Sequence, residues 1–132
     1  MKNKLLQALA RLASQKYQEA YILNATKDEY VLPEDLVEDV ASLCALASRD
    51  QYYKKFTEEE LNALDDMACF IGQHGKRLFA NFVDPDTSSL IYKNEDWESL
   101  RIASGKCLTL FGIDVDRLSP EDIDEGNNIF GV

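Results

Sequence analysis

Apolar residues recur along this chain at intervals of three and four, the spacing that lines one face of an α-helix and leaves polar residues on the others. The first run places Leu6, Leu9, Ala10, Ala13, Tyr17, Ala20 and Tyr21 on one stripe, with Lys4, Arg11, Gln15 and Gln18 mostly elsewhere. It predicts a helix from about residue 3 to about residue 23, apolar toward a core and basic outside. EYVLPEDLVEDVASLCALAS opens a second helix, with Pro33 at an early position and Glu34 and Asp35 in the first turn. A proline there loses no hydrogen bond, and the acids suit the positive end of the helix dipole. Leu36, Val40, Leu43 and Ala47 form its buried side.

FTEEEL starts a third helix, with Thr57 as N-cap and Glu60 three positions later, a capping box. Leu61, Leu64, Ala68 and Ile71 continue it to Gly72 or Gly75, and KRLFANF adds a further turn or two. DPDTSSLIY reads as a turn followed by a short extended segment near residues 89–92. Asn94 or Asp96 then caps a helix through Trp97, Leu100, Cys107, Leu108 and Phe111, closed by Gly112. SPEDI starts the last helix, with Ser119 as N-cap, Pro120 at the first position and Asp122 three residues after the cap. The pattern predicts an all-α fold of five or six helices. With 132 residues and no linker, repeat or low-complexity tract, the chain reads as one domain spanning 1–132.

Charge changes the picture from fold to partners. The formal net charge is −10, and residues 1–27 carry five basic side chains against Glu19 alone, so the remainder stands at −14. Such a field repels nucleic acid and anionic lipid and attracts basic proteins. Direct nucleic-acid binding is therefore not expected, and no stretch of about eighteen apolar residues is available to span a membrane. MKNKLLQALARLASQ starts like a signal peptide, but Gln7 and Arg11 interrupt its apolar run. Cys44, Cys69 and Cys107 form no paired framework, which predicts reduced thiols, each a small buried hydrophobe, and a cytoplasmic protein.

No catalytic constellation emerges. His74 is the single histidine, expected near a helix end where free carbonyls favour it, and no nucleophile-elbow pattern accompanies it. The cysteines and His74 lack zinc-ligand spacing, and SGKC lacks the upstream glycine and following hydroxyl of a phosphate loop. No cofactor or small-molecule substrate is expected. DPDTSSLIYKNE places Asp84, Asp86, Ser88 and Glu95 at positions of a calcium loop, but Ser89 stands where that loop has glycine. The alternative is a turn capped by its own Asp and Ser side chains. Among 24 carboxylates, nothing in the sequence marks a pair as pocketed for acid–base work.

What remains is surface. Glu34, Asp35, Glu38 and Asp39 form one anionic ridge on the second helix, and Glu58, Glu59, Asp65 and Asp66 another on the third. Between them lies RDQYYKKF, with Tyr52 and Tyr53 adjacent. An exposed aromatic among carboxylates suits a docking hot spot for a basic partner; the alternative is one tyrosine packed inward beside a solvated charge face. In the concluding stretch DVDRLSPEDIDEGNNIF, six of the twelve residues Asp114–Glu125 are acidic, and about half of them serve as helix-start punctuation.

DQYYKKFTEEEL resembles, in its ingredients, the acidic helix beside a tyrosine pair with which colicin DNase immunity proteins block a basic nuclease, and SSLIYKNEDW echoes the tyrosine-bearing segment. The match spans about ten residues in either place, and this chain is longer than those proteins and has more helices. The resemblance is thus to bacterial toxin-immunity proteins as a class. It implies a non-enzymatic cytosolic inhibitor, with Tyr52 or Tyr53 as aromatic anchor and Glu58, Glu59, Asp65 and Asp66 meeting lysines and arginines of a toxin domain. Two alternatives stay open: an anionic inhibitor or nucleic-acid mimic acting on another DNA- or RNA-binding protein, and a small enzyme with an unrecognised carboxylate site.

Overall fold

Each helix-start signal read from the sequence is realised in the computed structural model, which describes residues 2–26, 28, 30–49, 53–80 and 87–126. Among these residues the fold is all-α. It comprises α1 (Lys2–Ala13), α2 (Gln15–Gln18), a π-helical turn (Glu19–Leu23), α3 (Pro33–Ala47), a 3-10 turn (Tyr53–Lys55), α4 (Glu58–Ala80), α5 (Thr87–Lys93), α6 (Glu95–Leu110), a second 3-10 turn (Val115–Arg117) and α7 (Pro120–Glu125). The Glu60 amide donates to Thr57 Oγ1 at 3.1 Å, and the Thr57 amide to Glu60 Oε1 at 2.8 Å, completing the capping box of α4. Asn94 accepts from the Trp97 amide, and Ser119 with Asp122 forms the box of α7. Gly112 closes α6 at φ 79°, a conformation glycine adopts without strain.

The long helices α1, α3, α4 and α6 form a ring in which α1 packs on α3 and α6, and α4 packs on the same two. Neighbours run antiparallel. Lys2 sits over the rings of Phe56 and Phe111, 5.6 Å from each centroid, while Gln18 beyond the other end of α1 meets Trp97 at the start of α6. Val37 near the start of α3 packs on Gly75 near the end of α4. His74 reaches Asp96 at the start of α6. Leu5, Leu6, Leu9, Leu12, Tyr17, Leu36, Val40, Leu64, Trp97, Leu100 and Leu108 fill the space between them. This is four-helix packing around a shared apolar centre.

The first helix differs from its prediction. Ser14 takes an extended conformation, and its hydroxyl accepts from the Tyr17 amide at 3.1 Å, so α1 ends and α2 begins one residue later. Gln18, fully buried, stabilises the break: its Nε2 donates to the carbonyls of Arg11 and Leu12 at 3.1 and 2.8 Å, and its Oε1 accepts from Trp97 Nε1 at 3.1 Å. Both amide N–H groups and the amide oxygen are therefore used where an unpaired group would be costly. The basic helix is also tied to the acidic body: Arg11 donates to the Asp124 carbonyl at 3.1 Å and Gln7 to those of Ile123 and Asp124.

Residues 89–92, expected to be extended, are helical within α5. Leu90 and Ile91 are both buried. Adjacent side chains point to opposite faces of a strand but lie only about 100° apart on a helix, so the helix alone lets both face the core. Nor does α4 stop at Gly72 or Gly75; it runs to Ala80, because buried Ile71 and Leu78 outweigh roughly 1 kcal/mol of lost helix propensity per glycine.

Candidate docking surface

On α4 the hundred-degree step per residue gathers Glu58, Glu59, Asn62, Asp65, Asp66, Cys69, Gln73 and Lys76 on one exposed face. All four carboxylates predicted for partner binding are there. Glu58 and Glu59 lie in the first turn, where negative charge also favours the helix. Asp65 and Asp66 sit mid-helix, where it does not, and none of the four enters an ion pair among the described residues. Tyr52 lies outside the described residues. Tyr53 opens the 3-10 turn just before α4, and its side chain also lies outside the description.

The other acidic ridge, Glu34, Asp35, Glu38 and Asp39, is exposed on α3. Because α3 and α4 are antiparallel, with Val37 at the level of Gly75 and Cys44 close enough to Asp65 to feel its charge, the two ridges stand at opposite ends of the pair. The α3 acids lie level with Lys76 and Arg77, not with the α4 acids. They do not merge into one anionic stripe.

A feature absent from the sequence reading adjoins the α4 acids. Between α4 and α6 opens a groove of about 400 Å³ lined by Ala63, Met67 and Phe70 on one wall, Ala103, Cys107 and Leu110 on the other, with Asp66 and Lys106 at its margins. The lining is mainly apolar. Its residues come in two clusters some forty positions apart, so only the antiparallel packing of α4 on α6 brings them together.

His74 lies inside α4 and not at a helix end. Its Nδ1–H donates to Asp96 Oδ1 at 2.9 Å, its ring lies 4.2 Å from that of Phe70, and Arg77 donates to both carboxylate oxygens of Asp96. Arg77 first, and His74 second, hold the Asp96 carboxyl down at about 2. This cluster clamps α4 to α6. Of the cysteines, Cys44 and Cys107 are buried as expected, but Cys69 is exposed. Apolar neighbours in sequence suggested burial, whereas the helical step places it with Asn62, Asp65, Asp66 and Gln73.

For metal binding, Asp84 and Asp86 of the calcium-loop pattern lie outside the described residues. Ser88 and Glu95 lie in α5 and at the start of α6, where helical backbone replaces the loop that such a site needs. Among the described residues no group of three or more His, Cys, Asp or Glu is arranged to hold a metal ion, and no helix is long and apolar enough to cross a membrane. Every carboxylate among them is at least partly exposed to solvent. The acidic tail is structural at its start: Asp114 caps the second 3-10 turn, and Ile123 is fully buried. Fold and surface together define an all-α protein with an exposed acidic helix face beside an apolar groove. In comparisons with known proteins, no family model, curated sequence or solved structure matches the chain.

Proposed function

We propose that this protein acts by binding a basic protein partner on the outer face of α4, without chemistry of its own. The reading rests above all on Asp65 and Asp66, two exposed mid-helix carboxylates with no ion-pair partner among the described residues, next to an apolar groove. Placed mid-helix, they gain nothing from the helix dipole, but they would stabilise a complex with lysines and arginines. An acidic face beside apolar surface combines steering of encounter with a desolvated centre, the division of labour seen in specific interfaces.

Within that class, the resemblance to toxin-immunity proteins favours a nuclease-type toxin as the partner, its active site occluded by the docked α4 face. Nucleic-acid mimicry fits less well, because the two acidic ridges stand at opposite ends of the α3/α4 pair and do not form the continuous anionic track that a long basic channel would require. The experiment is co-expression with basic nuclease-type domains, starting with any that an adjacent gene encodes, followed by a nuclease assay. Stoichiometric inhibition, lost in Tyr53→Ala/Asp65→Lys, is the expected outcome; inhibition unaffected by the double substitution would remove this face from the mechanism.

A further inference from the structure

Resting on that reading, we infer that the α4/α6 groove is an anchor pocket for one aromatic side chain of a lysine- or arginine-bearing partner segment. Ala63 and Ala103, small residues on facing walls, leave the hollow, and its volume of about 400 Å³ lies within the roughly 300–1,000 Å³ typical of ligand pockets. In its α6 wall, Leu110 keeps 37% of its surface in water, apolar area that a covering partner would remove from solvent.

Charge selects the occupant. Asp66 belongs both to the groove and to the acidic face, so the pocket and the Asp65/Asp66 pair form one continuous surface. A helical segment with a basic residue on Asp65 or Asp66 carries its next same-face side chain three or four positions away, a distance that overlies the groove. Aromatic residues are favoured because they bury a large area at little cost in conformational entropy. Lys106 on the opposite margin repels a second basic residue there and favours a carbonyl or carboxylate. The segment is thereby oriented as well as held.

The test uses the full chain and three synthetic helical peptides. The first has one tryptophan with lysines three and four positions to one side; the second replaces tryptophan by alanine; the third replaces the lysines by glutamate. Binding is followed by titration and by backbone amide shifts in NMR. The tryptophan–lysine peptide is expected to shift Ala63, Met67, Phe70, Ala103 and Cys107, and to bind about tenfold or more tightly than either control. Ala103→Phe, which fills the hollow, should weaken it by a similar factor without shifting the thermal melt; Ala103→Leu serves if the larger residue perturbs folding. Equal binding of the tryptophan and alanine peptides, with shifts confined to Glu58, Glu59, Asn62 and Asp65 and no effect of filling the groove, overturns the pocket while leaving the acidic docking face intact. Equal binding of the glutamate peptide, or binding by none of the three, overturns the pocket and counts against the docking face. Groove shifts that instead track protein concentration assign the groove to a second copy of this chain and also overturn the proposal.

Discussion

Replacing Gln18 by leucine should be among the most damaging conservative changes in this protein. Gln18 is fully buried and spends both amide N–H groups on the Arg11 and Leu12 carbonyls and its oxygen on Trp97 Nε1. Leucine fits the volume approximately but leaves two carbonyls and one indole N–H in an apolar interior. At about 1 kcal/mol net per buried hydrogen bond, and more for each group left unsatisfied, the loss is about 3 kcal/mol. For a chain of 132 residues that corresponds to a fall in melting temperature of roughly 10 °C. Thermal and urea unfolding followed by fluorescence report it directly, because Trp97 is the single tryptophan and is itself a partner in the bond. Pairing Gln18→Leu with Trp97→Phe in a double-mutant cycle, followed by circular dichroism because two of its corners lack the tryptophan, should reveal a coupling of about 1 kcal/mol. A melting temperature within about 2 °C of wild type for Gln18→Leu would refute the claim that this amide holds the α1/α2 break to α6.

Two further outcomes follow from the clamp and the thiols. The Asp96 carboxyl is held below its ordinary value of 3.8, at about 2, chiefly by Arg77 and then by His74; the stability it supplies is therefore complete above pH 3.8 and is lost as pH falls through about 2. Because Arg77 is well exposed to water, the contribution is on the order of 1 kcal/mol, and the difference in urea stability between wild type and Asp96→Asn should shrink toward zero across that pH range. A difference independent of pH would show that the carboxylate charge is not what clamps α4 to α6. In thiol labelling of the native protein, Cys69 should react first: it alone is exposed, whereas burial pushes the Cys44 and Cys107 thiols up to about 12 and about 11. Mass spectrometry showing Cys44 labelled as fast as Cys69 without unfolding would contradict the packing of α3 on α4.

Legibility in the sequence followed the range of the interaction. The starts of α3, α4, α6 and α7 were visible because Pro33, Thr57 with Glu60, Asn94, and Ser119 with Asp122 act within one helical turn. The break at Ser14 was not, because Tyr17 continues the apolar spacing of Leu6 to Ala13 while the buried amide that secures the break is completed by Trp97, 79 positions away. Cys69 misled for the opposite reason: its apolar neighbours in sequence, Ala68 and Phe70, are not its neighbours on the helix surface. The acidic face was legible residue by residue, since charge and helical step suffice to place Glu58, Glu59, Asp65 and Asp66 outside. The groove was invisible. Its lining, alanines 63 and 103 among it, comes together only where α4 packs on α6.

The docking claim is tested most directly by the affinity of the full chain for basic nuclease-type domains, including any found encoded by an adjacent gene, measured by calorimetry at low and high salt for wild type and for Asp65→Lys/Asp66→Lys. The account predicts binding that weakens with salt and an affinity lowered on the order of 100-fold by the double charge reversal, with the thermal melt unchanged. An affinity within about twofold of wild type, equally insensitive to salt, would contradict it.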